Sequence, residues 1–199
     1  LLAVTMGDPA GIGAEVIIKA FADPGIYKRA QPFVIGSIEC LRNAMEQTGV
    51  QLSLLPVSDL SEVEFSSDYL QVLEAIPFDA SRLIQGQVSA ECGHAAVQYF
   101  ESAIQLSLGG LIQGVVTCPI NKEAVHTAGY HGDIGHQEIL ARMTGSELTA
   151  TMLMTTGLKV AHLSTHKSLG EAVKYVTRPV LLEKLKLTAT SMKRWGFRN

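Results

Sequence analysis

Residues 1–6, Leu-Leu-Ala-Val-Thr-Met, form a largely apolar, strand-prone run that stops at a glycine-rich turn. A helix-patterned stretch then runs to about Phe21. A chain that repeats this unit has few ways to bury its apolar surface, and the favoured one is a largely parallel sheet covered by helices. The unit does repeat. Residues 32–36 read as a strand and 38–48 as a helix; 52–57 and 69–76 read as further strands around a polar, acidic loop at 58–68. Residues 89–108 carry Ala96, Phe100, Ala103 and Ile104 at helical spacing, the clearest helix of the chain. A strand at 114–118 ends at Pro119, and Asn121 can cap a helix through Ala128. A second block follows: a helix at 139–144, strands at 149–155 and 159–164 around Thr156-Gly157, and helices at 168–175 and 179–193. The breaker-rich stretch 129–135 predicts a boundary, dividing the chain into a first α/β subdomain over 1–128 and the start of a second over 129–199.

Composition removes several classes of function. The chain has 199 residues, 47% hydrophobic and 18% charged, enough apolar material for a core. A net charge of -3 gives no reason to expect nucleic acid or an anionic membrane as partner. No apolar run reaches the length needed to span a bilayer, and the opening residues lack the basic region and cleavage site of a signal peptide. Cys40, Cys92 and Cys118 are widely spaced and form no CxxC pair. They read as small packed thiols in a reducing compartment, and the cytoplasm is the expected location.

Four places carry residues suited to chemistry. Residues 7–13, Gly-Asp-Pro-Ala-Gly-Ile-Gly, join a buried strand to a helix; the glycines allow close backbone approach and the helix start favours anions. The Gly-Lys-Ser/Thr of a Walker loop is missing, and Val16 stands where the dinucleotide fingerprint needs Gly or Ala. A plain strand–helix connection would read the same way. Lys122 opens a helix, an unfavourable end for a cation unless it holds an anion, although a solvated surface lysine is the simpler alternative. Cys118 could be a nucleophile at this strand end, but nothing identifies a base for it. His136, in Gly-His-Gln-Glu, stands directly before an apolar helix, and His166 follows an apolar strand at the end where α/β sheets bind ligands. His162, four residues earlier, reads as a core or edge histidine.

Taken in order, residues 4–13 (Val-Thr-Met-Gly-Asp-Pro-Ala-Gly-Ile-Gly), 117–122 (Thr-Cys-Pro-Ile-Asn-Lys), 135–138 (Gly-His-Gln-Glu) and 164–166 (Ser-Thr-His) resemble one family. It is the 4-hydroxythreonine-4-phosphate dehydrogenases, with their relatives acting on phosphorylated threonate or erythronate. The resemblance implies a layered, mostly parallel α/β fold similar to isocitrate and isopropylmalate dehydrogenases, with two subdomains around a cleft. It implies a homodimer that uses NAD or NADP and a divalent metal (zinc, magnesium or cobalt) held by three histidines. His166 matches one of these; the others are expected beyond Asn199, with most of the cofactor site. Asp8, Lys122, His136 and Gln137 match the substrate side, and Gln137 departs from the threonine usual there. The implied reaction oxidises 4-phosphohydroxy-L-threonine and decarboxylates it to 3-amino-2-oxopropyl phosphate, for pyridoxal phosphate synthesis. A catabolic relative acting on 4-phospho-D-threonate, 4-phospho-D-erythronate or a cis-dihydrodiol would share these motifs. A non-catalytic module that binds a phosphorylated ligand is the alternative of another class.

By the same resemblance these residues correspond to about the first three-fifths of such an enzyme. A catalytic metal of the zinc type needs about three protein ligands. Expressed alone, the 199 residues are therefore expected to bind NAD weakly and to oxidise nothing. Calorimetric titration with NAD and a divalent metal checks this, and micromolar affinity together with turnover would contradict it.

Overall fold

In the computed structural model, residues 1–63, 66–132, 135–165 and 167–197 are described. The opening apolar run forms β1 (Leu2–Thr5), and both its edges are paired in parallel. β2 (Pro32–Ile35) lies on one side, with Val34 opposite Val4. Beyond it come β4 (Leu70–Leu73) and then β3 (Leu54–Val57) at the edge, the position where Pro56, which lacks an N–H, is tolerated. β5 (Gly114–Thr117) lies on the other side of β1, giving the order β3-β4-β2-β1-β5.

Parallel register fixes which side chains share a face. Leu2, Val4 and Val116 fall on one face, where they line an apolar hollow with Ile17 and Phe21 of α1 (Gly13–Phe21). α2 (Ile38–Thr48) packs on α1 and is capped at both ends: the Ser37 hydroxyl accepts the Cys40 N–H, and Gly49 closes the helix at φ 71°. Val115 and Thr117 fall on the opposite face, beneath Phe100 and Ile104 of α3 (Ala90–Leu108), whose N-cap is Ser89. The main core holds Phe33, Val34, Ile35, Leu41, Val72 and Tyr99. Full burial of such a side chain contributes roughly 1.5–3 kcal/mol.

α4 (Lys122–Thr127) and α5 (His136–Thr144) both seat on α3. They share a smaller apolar cluster of Val97, Phe100, Ile104, Val125 and Ile139. α5 starts three residues earlier than its apolar pattern predicts. Gly135, fully extended, ends the preceding loop and lets His136 become the first helical residue. The polar stretch 58–68 contains one short 3₁₀ turn, Leu60–Glu62, and a second such turn, Ala80–Arg82, precedes α3.

The chain divides into two compact units, Leu1–Ser146 and Glu147–Asn199. The breaker-rich stretch 129–135 thus lies inside the first unit, because α5 packs Ile139 onto α3 and stays with the sheet. The second unit has an antiparallel hairpin, β6 (Met152–Thr155) and β7 (Leu158–Ala161), turning at Gly157 with φ 81°. α6 (Leu169–Tyr175), closed by a Ser168–Glu171 capping box, and α7 (Arg178–Arg194) follow. None of this unit's described residues is buried, and Leu181, Leu182 and Leu185 of α7 are exposed. Among the described residues no helix is long and apolar enough to cross a membrane.

The topology has one consequence for ligands. β1 continues through α1 to β2 on one side, whereas the chain reaches β5 on the other side only by crossing back through α3. The carboxyl ends of β1 and β5 are therefore neighbours whose connections diverge, the place where open parallel sheets bind ligands.

Ile139 is the fully buried residue that ties α5 to this sheet. Ile139→Ala is expected to destabilise the protein by about 2–4 kcal/mol in urea unfolding. A loss under about 1 kcal/mol would show that α5 does not belong to the first unit's core.

Candidate functional site

At the carboxyl ends of β1 and β5 two turns are joined through their backbones. The Asp8 N–H donates to the Pro119 carbonyl (3.0 Å) and the Cys118 N–H to the Thr5 carbonyl (3.0 Å). Gly7 sits at φ 72°, and a Cβ on it would lie 2.3 Å from the Pro119 oxygen. Gly13 is equally constrained, since a Cβ there would fall 1.9 Å from the Met6 carbonyl oxygen. Glycine is required at both positions for a steric reason: at Gly7 the paired turn at Pro119 leaves no room, and at Gly13 the chain folds back on its own Met6 carbonyl. The short segment ahead of α3 covers the turn: Gly86 N–H donates to Ala10 O (2.8 Å) and the Gln85 amide to Pro9 O (3.4 Å). Nothing in the residue pattern marks Gln85 and Gly86 for this task.

Asp8 is buried at 5% exposure, and its Oδ1 accepts the Ala10 N–H at 2.8 Å. Burial pushes its carboxyl above the usual carboxylate range, and the Ala10 N–H partly offsets this. The side chain braces its own turn. Cys118 is buried too: its thiol donates to the Gly13 carbonyl at 3.7 Å, and burial pushes it up to about 11. That is a packed small side chain and not a poised nucleophile.

Beyond Pro119 the chain enters α4. The Asn121 side chain accepts the Glu123 and Ala124 N–H groups (2.9 and 3.1 Å), as its position predicted. Lys122 is the first helical residue, exposed, with no ion pair among the described residues. His136 and Gln137 open α5, whose N-terminus has no side-chain cap. The His136 ring is half-buried with its edge against Phe100, centroids 4.8 Å apart at 89°. Its Nε2 is shut off from solvent and has no hydrogen-bond partner among the described residues. Such an atom is costly to leave unmatched. Burial also holds the imidazole below its ordinary value of 6.5, favouring the neutral ring.

The structure thus joins Asp8 to the turn leading to Lys122, and it places Lys122 and His136 at the starts of two helices that share α3 as support. His166, the predicted metal ligand, lies outside the described residues. Among the described residues no group of three His, Cys, Asp or Glu side chains is arranged to hold a metal. His162 follows β7, half-buried, its N–H bonded to Thr151 O (2.8 Å), an edge position as its pattern suggests.

A parallel sheet with a braced glycine turn at its switch point defines an open α/β protein of the kind that binds ligands at the carboxyl edge of its sheet. The comparisons narrow that class. The model of the family described as pyridoxal phosphate biosynthetic protein PdxA matches residues 28–199, and the chain belongs to that family. It is 34% identical over 198 residues to the D-threonate 4-phosphate dehydrogenase of Pectobacterium atrosepticum, covering 99% of this chain and 60% of that one. The solved 4-hydroxythreonine-4-phosphate dehydrogenase of Klebsiella pneumoniae superposes with a TM-score of 0.92 at 34% identity, over 100% of this chain and 61% of that one. The Burkholderia phymatum protein of the same name gives 0.88 at 32%, over 98% of this chain and 59% of that one. The chain spans about three-fifths of the length of the relatives it matches.

The state of His136 has a measurable consequence. Its folded imidazole resists protonation, so as pH falls through 6.5 the unfolded chain takes up the proton first and the folded state loses stability. Between about pH 8 and pH 5 the melting temperature of the unaltered protein is expected to fall more steeply than that of His136→Asn. Parallel profiles would show that His136 is as well solvated folded as unfolded.

Proposed function

We propose that this chain carries the substrate side of a dehydrogenase that oxidises a hydroxyl of a phosphorylated hydroxy acid. The observation that carries the reading is the buried Nε2 of His136 at the start of α5, without a hydrogen-bond partner among the described residues, with Lys122, which has no ion pair among them, opening a second helix on the same support. A neutral imidazole can exchange a hydrogen bond with a hydroxyl or carboxyl oxygen without a fixed charge, while the ammonium of Lys122 supplies the attraction for the anionic end. Gln137 adds an amide that can donate to the same ligand. Asp8 acts by holding the turn from which this side of the site is built.

D-threonate 4-phosphate is the favoured substrate, since curated relatives 38% and 34% identical to this chain carry that name. 4-Phosphohydroxy-L-threonine is the second reading, favoured by the names of the solved relatives. NAD or NADP, when bound, accepts the hydride. A divalent metal (zinc, magnesium or cobalt), when bound, would acidify the reacting hydroxyl, with His166 the ligand proposed from this chain. The apolar side chains exposed on the second unit, among them Leu153, Leu158, Leu182 and Trp195, support a homodimer. Cytoplasmic location is part of the same proposal.

Steady-state assays of the protein at its natural full length, with both phosphorylated substrates and with NAD and NADP, decide among these. D-threonate 4-phosphate should give the highest kcat/KM. Lys122→Ala should raise KM for it about tenfold, about 1.4 kcal/mol. Equal turnover of the dephosphorylated acid would show that no anion is being read here.

A further inference from the structure

Lys122 and His136 begin two helices that share one support, α3. On the α5 side the seat is made of side chains, Phe100 against His136 and the buried Ile139, which can adjust by rotation. On the α4 side it is backbone against backbone. A Cβ on Gly93 of α3 would lie 2.0 Å from the Ala124 carbonyl oxygen, 2.2 Å from its carbonyl carbon and 2.6 Å from the Val125 nitrogen. Nonbonded heavy atoms rest about 3.5 Å apart, so any side chain at this position must push α4 away by about 1 Å or more. No flexible side-chain end is available to absorb the shift. Ala124 is buried and stands two residues after Lys122, in the same first turn of helix, so Lys122 moves with it. At the far end of the seat, Asn121 holds this first turn through the N–H groups of Glu123 and Ala124.

We propose that Gly93 is a positioning residue: the missing side chain sets how closely α4 lies on α3, and so where the Lys122 ammonium stands relative to the His136 ring when both meet the substrate. This rests on the reading of Lys122 and His136 as substrate-binding residues. It assigns to Gly93 a role in affinity beyond its contribution to packing. A displacement of about 1 Å at a binding group can cost as much as 100-fold in rate or affinity.

The test is a double-mutant cycle on the full-length protein, using whichever of the two phosphorylated substrates it turns over. Gly93→Ala should raise KM tenfold or more while kcat stays within about twofold. In a Lys122→Ala background the same change should leave KM where it is, because the group being positioned is gone. The melting temperature should fall equally in both backgrounds, which separates positioning from loss of packing. KM effects that multiply, or a Gly93→Ala enzyme with an unchanged KM, would overturn the proposal and leave the site reading intact. An unchanged KM in Lys122→Ala, or no turnover of either substrate by the unaltered protein, would sink the site reading and the proposal with it. If Gly93→Ala does not fold, Asn121→Ala loosens the same seat from its exposed end. A rise in KM that disappears in the Lys122→Ala background then supports the proposal, and an unchanged KM overturns it.

Discussion

The bond from the Asp8 N–H to the Pro119 carbonyl is the joint on which the first unit turns. It is an ordinary hydrogen bond, worth about 0.5–1.5 kcal/mol net, yet its position multiplies its effect. It ties the turn after the central strand to the turn after the neighbouring one, and so brings residues more than a hundred positions apart to one place at the sheet's carboxyl edge. The approach is so close that Gly7 has no room for a side chain. Gly7 serves this contact between strands, and the buried Asp8 carboxyl serves it too by folding back on the Ala10 N–H.

The proposed substrate-side residues Lys122 and His136 are both referred to α3. The helix crosses the sheet over Val115 and Thr117, presents Gly93 to α4, and presents Phe100 to His136. Its first turn also adjoins the segment that covers the glycine turn through Gln85 and Gly86. The central helix therefore links three parts of the site whose sequence positions are far apart. His136 shows what this does to chemistry. The same packing that fixes its ring removes water from Nε2 and keeps the imidazole neutral, so it is better suited to a hydroxyl or carboxyl oxygen than to carrying charge. Lys122 remains in solvent.

The two units differ in how far they satisfy themselves. The first buries Phe33, Ile35, Leu41 and Tyr99 around a five-stranded sheet. The second places a hairpin and two helices together with no described residue buried, and leaves Leu182, Leu185 and Trp195 largely in water.

Much of the fold was legible from local pattern, because strand and helix periodicity, N-cap chemistry and glycine C-caps act within a few residues of themselves. β1, α2, α3, the cap at Asn121 and the hairpin turn at Gly157 all follow from such signals. The motif order likewise pointed to the family, and with it to His136, Lys122 and Asp8 as residues of interest. Tertiary structure alone decided what those residues do for one another. It kept residues 129–146 in the first unit through one buried isoleucine, turned Asp8 inward, sealed the Nε2 of His136 and made Gly93 a contact between helices. Each of these depends on which backbones approach within a few ångströms, and that distance is set by pairing and packing across the whole sheet and not by any residue's neighbours in the chain.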